Sequence, residues 1–160
     1  MQTDVEIMDL AIGQARRSLA EGGIPIGAVL VADGEVLGVG HNRRVQKGSV
    51  VLHGETDALE AAGRLPASTY ARSTMVTTLS PCQMCTGAVL LYGIPKVVIG
   101  ENRTFMGAED LLRAHGVEVV VLDSDECVQM MRAFIADNPS LWNEDIGEPD
   151  SLLSYERLEK

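Results

Sequence analysis

The chain has 160 residues, 46% hydrophobic and 22% charged, which suits one globular domain and excludes a disordered or coiled-coil protein. Its formal net charge of −10 disfavours a polyanionic partner, because nucleic-acid binding draws on surplus Lys and Arg to displace counterions. Three cysteines are too few for a disulfide framework and fit a reducing cytoplasm, while the acidic start MQTDVEIMDL is unlike a secretory leader and no apolar run reaches the ~20 residues of a membrane span.

Residues 3–20 read as a helix: Thr3 and Glu6 make a capping-box pair, and Val5, Met8, Ile12, Ala15 and Leu19 recur at steps of three and four. Gly22, Gly23, Pro25 and Gly27 then lead into two β-rich runs, 28–32 and 35–39, around Asp33-Gly34, a favoured two-residue hairpin turn. A polar loop follows over 42–49, in which Arg43, Arg44 and Lys47 read as solvated. Residues 54–62 have helical composition and stop at Gly63. Next come a β-prone run over 73–79, a helix over 81–92 and a short apolar strand over 96–99, a sequence that implies a parallel crossover. A helix over 108–115, a strand over 117–122 and a helix over 124–137 repeat the pattern, with Cys127, Met131, Phe134 and Ile135 sharing a face of the last. Beyond Pro139 the chain reads as less regular, with a short terminal helix expected around Leu152, Leu153, Tyr155 and Leu158. The expectation is an α/β domain with a mixed sheet covered by helices on both sides, residues 1–160 forming a single domain with a short extension over 149–160.

The residues that carry chemistry are His53-Gly54-Glu55 and Ser80-Pro81-Cys82-Gln83-Met84-Cys85. A catalytic zinc keeps three protein ligands and one open position, and His53, Cys82 and Cys85 supply that count. Cys82 and Cys85, three apart on a helix capped by Ser80 with Pro81 at its first position, project to one side of a first turn whose exposed N–H groups favour thiolate. Glu55, too near His53 to be a second ligand from the same turn, is placed to take a proton from a water at the open position, which is hydrolytic chemistry. Alone, Cys-x-x-Cys reads equally as a structural zinc knuckle, a redox pair or core packing; the upstream His-x-Glu and the Pro before Cys82 favour the catalytic site. Cys127 reads as a small buried hydrophobe, and His41 and His115 as structural residues beside turns.

With His-x-Glu followed by Pro-Cys-x-x-Cys, the sequence resembles the cytidine deaminase-like superfamily, and more closely the fungal-type cytosine deaminases. The resemblance runs from about residue 21 to 148 on GGIPIGA, GHNRRVQKGS, LHGE, GRL, TTLSPCQMCTGA, YGIPKVVIGEN and WNEDIGE. It implies a three-layer α/β/α sandwich with a five-stranded mixed sheet, a homodimer, one zinc per subunit and hydrolysis of a free nucleobase, cytosine first. In that resemblance His53, Cys82 and Cys85 are ligands and Glu55 is the proton shuttle. Asn42 and the Gly54 N–H hold the polar edge of the base, the Ser80 carbonyl and Asp145 approach its exocyclic amine, Phe105 and Trp142 enclose the ring, and Ile26 and Leu79 line the pocket. From the residues alone Trp142 reads as a lid or as a packing anchor, Phe105 as core, and Asn42 as a turn cap. Asn143 departs from the aromatic that the fungal-type enzymes tend to have there, and the sequence EPDSLLSYERLEK extends past their pattern. Competing readings are a guanine or other heterocyclic base deaminase, a transfer-RNA adenosine deaminase, and a non-catalytic zinc-stabilised interaction module.

Overall fold

The computed structural model describes residues 2–149. Helix α1 (Asp4–Ala20) opens on the expected capping box, with the Glu6 N–H donating to Thr3 Oγ1 at 3.2 Å and the Thr3 N–H to Glu6 Oε2 at 2.7 Å. Its buried stripe differs from the expected one: Ile7, Met8, Ala11, Ile12, Ala15 and Ser18 face the core, while Val5 and Leu19 are largely exposed. The buried arc runs from Ile7 to Ile12 around the helix; Val5 lies just past its edge, and Leu19 falls on the arc but in the last turn.

Strands β1 (Gly27–Ala32) and β2 (Glu35–His41) form the antiparallel hairpin. Asp33 and Gly34 both take positive φ, 52° and 79°, as its two-residue turn requires. Strand β3 (Ser73–Leu79) runs antiparallel to β1, whereas β4 (Lys96–Glu101) and β5 (Glu118–Val121) continue parallel to β3, giving the order β2-β1-β3-β4-β5. The connecting helices are α2 (Arg44–Lys47), α3 (Gly54–Ala62), α4 (Ala67–Tyr70), α5 (Gln83–Leu91), α6 (Glu109–Ala114), α7 (Asp125–Asp137) and α8 (Pro139–Asp145). Helix α8 replaces the irregular stretch expected there, with Pro139 in its first turn, where a missing N–H costs nothing. The terminal helix expected around Leu152, Leu153, Tyr155 and Leu158 lies outside the described residues.

Alternation along the strands sorts the core into two layers. Ala28, Leu30, Met75, Val97 and Ile99 pack with Ala58, Val89 and Leu112 of α3, α5 and α6, and Val29, Val31, Val76 and Val98 pack with α1 and with Cys127 of α7. This is the expected three-layer sandwich. Among the described residues no helix is long and apolar enough to cross a membrane.

Helix α3 sits on the hairpin at backbone distance. A Cβ on Gly40 would lie 2.2 Å from Ala58 N, and one on Gly38 2.5 Å from Ala58 O. Such contact fixes the start of α3, which carries His53 and Glu55, against the sheet. Replacing Gly40 with Ala should therefore destabilise the protein by about 3 kcal/mol through overpacking; urea unfolding that shows a loss below ~1 kcal/mol would contradict this account of the α3 seat.

Candidate active site

His53 and Cys82 occupy equivalent places, each the N-cap residue of a helix, α3 and α5, with extended ψ of 172° and 175°. Sequence spacing placed the α5 cap at Ser80. The helix instead begins after Cys82, because the Ser80 hydroxyl is already engaged, donating to Glu109 Oε2 at 2.6 Å and accepting the Gly107 N–H at 2.9 Å. Cys85 still follows within the first turn, so both sulfurs remain beside unpaired backbone N–H groups.

The two segments bring His53, Cys82 and Cys85 together, with their donor atoms all within 4.8 Å of one another. His53 Nδ1 is 3.5 Å from Cys82 Sγ and 3.7 Å from Cys85 Sγ. Zinc bonds of ~2.0 Å to nitrogen and ~2.3 Å to sulfur at tetrahedral angles put N and S about 3.5 Å apart, so the donor set fits the ion. Nε2, on the far side of the ring, lies 3.2 Å from Asp145 Oδ1, which leaves Nδ1 to face the sulfurs.

The clustered groups shift one another's protonation. Burial works against a charged His53, but its contacts with Asp145 and Cys82 outweigh that and raise it to about 10. The Cys82 thiol is pulled down to about 4, first by a hydrogen bond from Cys85 and, against the cost of burial, by His53. Cys85 is correspondingly raised, by Cys82 and then by burial. Glu55 is buried beside them and its carboxyl is raised, chiefly by desolvation, while Thr77 Oγ1 donates to its Oε1.

A small, partly open cavity lies next to this cluster, lined by Ile26, His53, Glu55, Leu79, Ser80, Cys82, Phe105, Trp142, Asp145 and Ile146. Its free volume of about 20 Å³ is room for roughly one water. Phe105 meets Trp142 edge to face, with centroids 5.8 Å apart. Trp142 is thus both wall and anchor, since it also packs with Ile24, Met131 and Phe134. Asn42 and Gly54 stand outside the lining. Asn42 is fully buried and directs Nδ2 at both Asp145 oxygens, each at 3.3 Å, and Gly54 at the start of α3 packs against Ile26 and Gly27. Among the described residues no turn or loop backbone hydrogen bond engages the Ser80 carbonyl, whose residue lines the cavity. Sequence reasoning missed Thr77 and Ile146: Thr77 is an inward position of an alternating strand, and Ile146 sits inside the quoted WNEDIGE stretch.

Comparison with known proteins agrees with this geometry. The family profile "Cytidine and deoxycytidylate deaminase zinc-binding region" matches residues 1–101. A cytosine deaminase of Candida albicans is 56% identical over 146 residues, covering 91% of this chain and 97% of the relative. A tRNA-specific adenosine deaminase of Streptococcus pyogenes is 33% identical over 84% of this chain and 91% of its own length. A solved structure from work on A-to-I editing by tRNA:A34 deaminases superposes with a TM-score of 0.67 at 27% identity, covering 79% of this chain and 99% of that one. Profile, relatives and fold agree, and the chain is a member of the zinc-dependent cytidine and deoxycytidylate deaminase family of hydrolases.

Proposed function

We propose that this enzyme hydrolyses the exocyclic amine of free cytosine, giving uracil and ammonia, with one zinc held by His53, Cys82 and Cys85. The observation that carries the reading is Glu55, a buried carboxylate lining the same small cavity as His53 and Cys82, with Cys85 clustered beside those two donors. Near-full-length likeness to a cytosine deaminase points to the substrate. Zinc on three protein ligands keeps a position for water and lowers that water's pKa to about 7.

The chain's own groups then do the following work. Glu55 accepts the water proton, passes it to the ring nitrogen beside the amine-bearing carbon, and later delivers a second proton to the departing amine, so that water and cytosine balance against uracil and ammonia. Asn42 and the Gly54 N–H hold the polar edge of the ring. The Ser80 carbonyl and Asp145 receive the amine. Asp145 suits this task because its contacts with Asn42, Arg44 and His53 are all long, 3.2 to 3.4 Å, which leaves it free to take a shorter bond from a new donor. Phe105 and Trp142 close on the ring, and Ile26 and Leu79 floor the chamber.

A transfer-RNA substrate is the second reading, favoured by the 33% identical relative. The small size of the cavity and the net charge of −10 support a free base over a polynucleotide. Ammonia release should be seen with cytosine and not with an RNA hairpin; release from RNA alone would reverse the choice.

We further propose that the chain acts as one catalytic domain, in the cytoplasm, as a homodimer. Three free cysteines suit a reducing compartment. Leu91 and Tyr92 at the end of α5 are exposed beside a groove of about 770 Å³ formed by α3, α4 and α5, an apolar surface a second copy would cover. Sedimentation should find a dimer that Leu91→Asp splits into monomers; a monomeric parent would refute the pairing.

Two substitutions test the centre. Glu55→Gln should retain stoichiometric zinc while slowing turnover by at least ~10²-fold; undiminished turnover would remove the shuttle. Cys85→Ser should lose both bound zinc and thermal stability, because ligands from separate segments couple metal binding to folding. Elemental analysis that still finds one zinc per chain would show the ligand set to be wrong.

A further inference from the structure

Arg44 enters the account above only as one long contact of Asp145. The solvated loop expected for it is not what the fold provides, since its side chain is only 13% exposed and reaches across to α8. Arg44 Nη2 donates to the Glu144 carbonyl at 2.7 Å, and Nε stands 3.4 Å from Asp145 Oδ1. That Nε–H is buried and forms no hydrogen bond, so toward Asp145 the guanidinium acts as a charge and toward Glu144 as a donor. The Arg44 backbone N–H donates to Asn42 Oδ1 at 3.0 Å, which fixes the carboxamide with Nδ2 toward Asp145.

The Arg44 side of this contact is pinned to the body of the protein. The Asn42 N–H donates to the Ile26 carbonyl at 2.9 Å and Ser18 Oγ to the Asn42 carbonyl at 2.8 Å. Arg43 adds a backbone bond to the Leu52 carbonyl and an Nε bond to Asp57 Oδ2, both 2.9 Å. Helix α8, in contrast, is seven residues long and has no basic residue in its last turn. A cation supplied from elsewhere to its carbonyl end offsets the negative end of the helix dipole. The same cation balances the buried Asp145 carboxylate, whose other partners are an amide and an imidazole.

The cavity has free room for about one water and adjoins a cleft of about 370 Å³ that shares His53, Cys82, Phe105, Asp145 and Ile146 and is also lined by Arg44 and Glu144, so the end of α8 forms one wall of the way in. Trp142 and Asp145 both belong to α8, and any displacement of its C-terminal end breaks the two Arg44 contacts.

We propose that Arg44 is a positioning residue that latches the C-terminal end of α8 to the fixed Asn42–Arg44 segment and so seats Asp145 and Trp142 over the base. The substrate side of this inference rests on the cytosine reading, whereas the latch is a contact within the chain. Trp142, the one tryptophan, reports on it directly. In zinc-loaded Arg44→Met, acrylamide quenching of tryptophan fluorescence should rise at least twofold, and kcat/KM for cytosine should fall at least tenfold, mostly through KM, with zinc content unchanged. Arg44→Lys, which keeps the charge but not the planar fork, should recover part of kcat/KM. If either quenching or kcat/KM in Arg44→Met stays within about 1.5-fold of the parent, the latch is overturned. Should Arg44→Met fail to fold, Arg44→Lys carries the test: quenching raised above the parent supports the latch, and parental quenching refutes it. A parent that releases no ammonia from cytosine refutes the substrate reading alone, since the quenching comparison still decides the latch.

Discussion

The meeting of two helix starts holds the site together: His53 at the head of α3 and Cys82 with Cys85 at the head of α5 face one another across 3.5 and 3.7 Å. Neither segment makes this cluster alone. The start of α3 is set by glycines that let it rest on the hairpin backbone, and the start of α5 by the crossover from β3 to β4. First-turn N–H groups with no helical partner give both heads a partial positive charge, which favours thiolate before any metal arrives. The donors, Glu55 and the chamber follow from this one juxtaposition.

What the sequence made legible was chemistry with a distinctive donor set. His53, Cys82 and Cys85 stood out because imidazole and paired sulfur at that spacing have few other uses, and Glu55 because a carboxylate two residues from a ligand has a task to perform there. The α1 capping box and the Asp33-Gly34 turn were equally readable, since each is decided by local bonds. Features settled by distant partners were not. The Ser80 hydroxyl was the best local candidate for an N-cap and was claimed by Glu109, twenty-nine residues away. Arg44 looked like a solvated cation because its partners, Glu144 and Asp145, come from the far end of the described chain. Helix α8 was passed over because seven residues carry too little periodicity to announce themselves.

Enclosure and polarity are balanced within the chamber. Ile26, Leu79, Phe105 and Trp142 leave room for about one water, so the few polar groups at the lining, Glu55, Asp145 and the Ser80 carbonyl, act in a medium where each interaction counts for more than in bulk solvent. Trp142 carries two duties because its indole is large enough to serve the core with one face and the chamber with another.

Gly40 and Gly38 bear on how the two sides of the pocket are held. They clamp α3, the helix that starts at His53 and carries Glu55, to the hairpin at backbone distance, whereas the seven-residue α8 is held by side chains, Trp142 in the core and Arg44 at its carbonyl end. His53 and Glu55 thus stand on the clamped part of the polypeptide, while Trp142 and Asp145 reach the same cavity from a seven-residue helix more than eighty positions further along the chain.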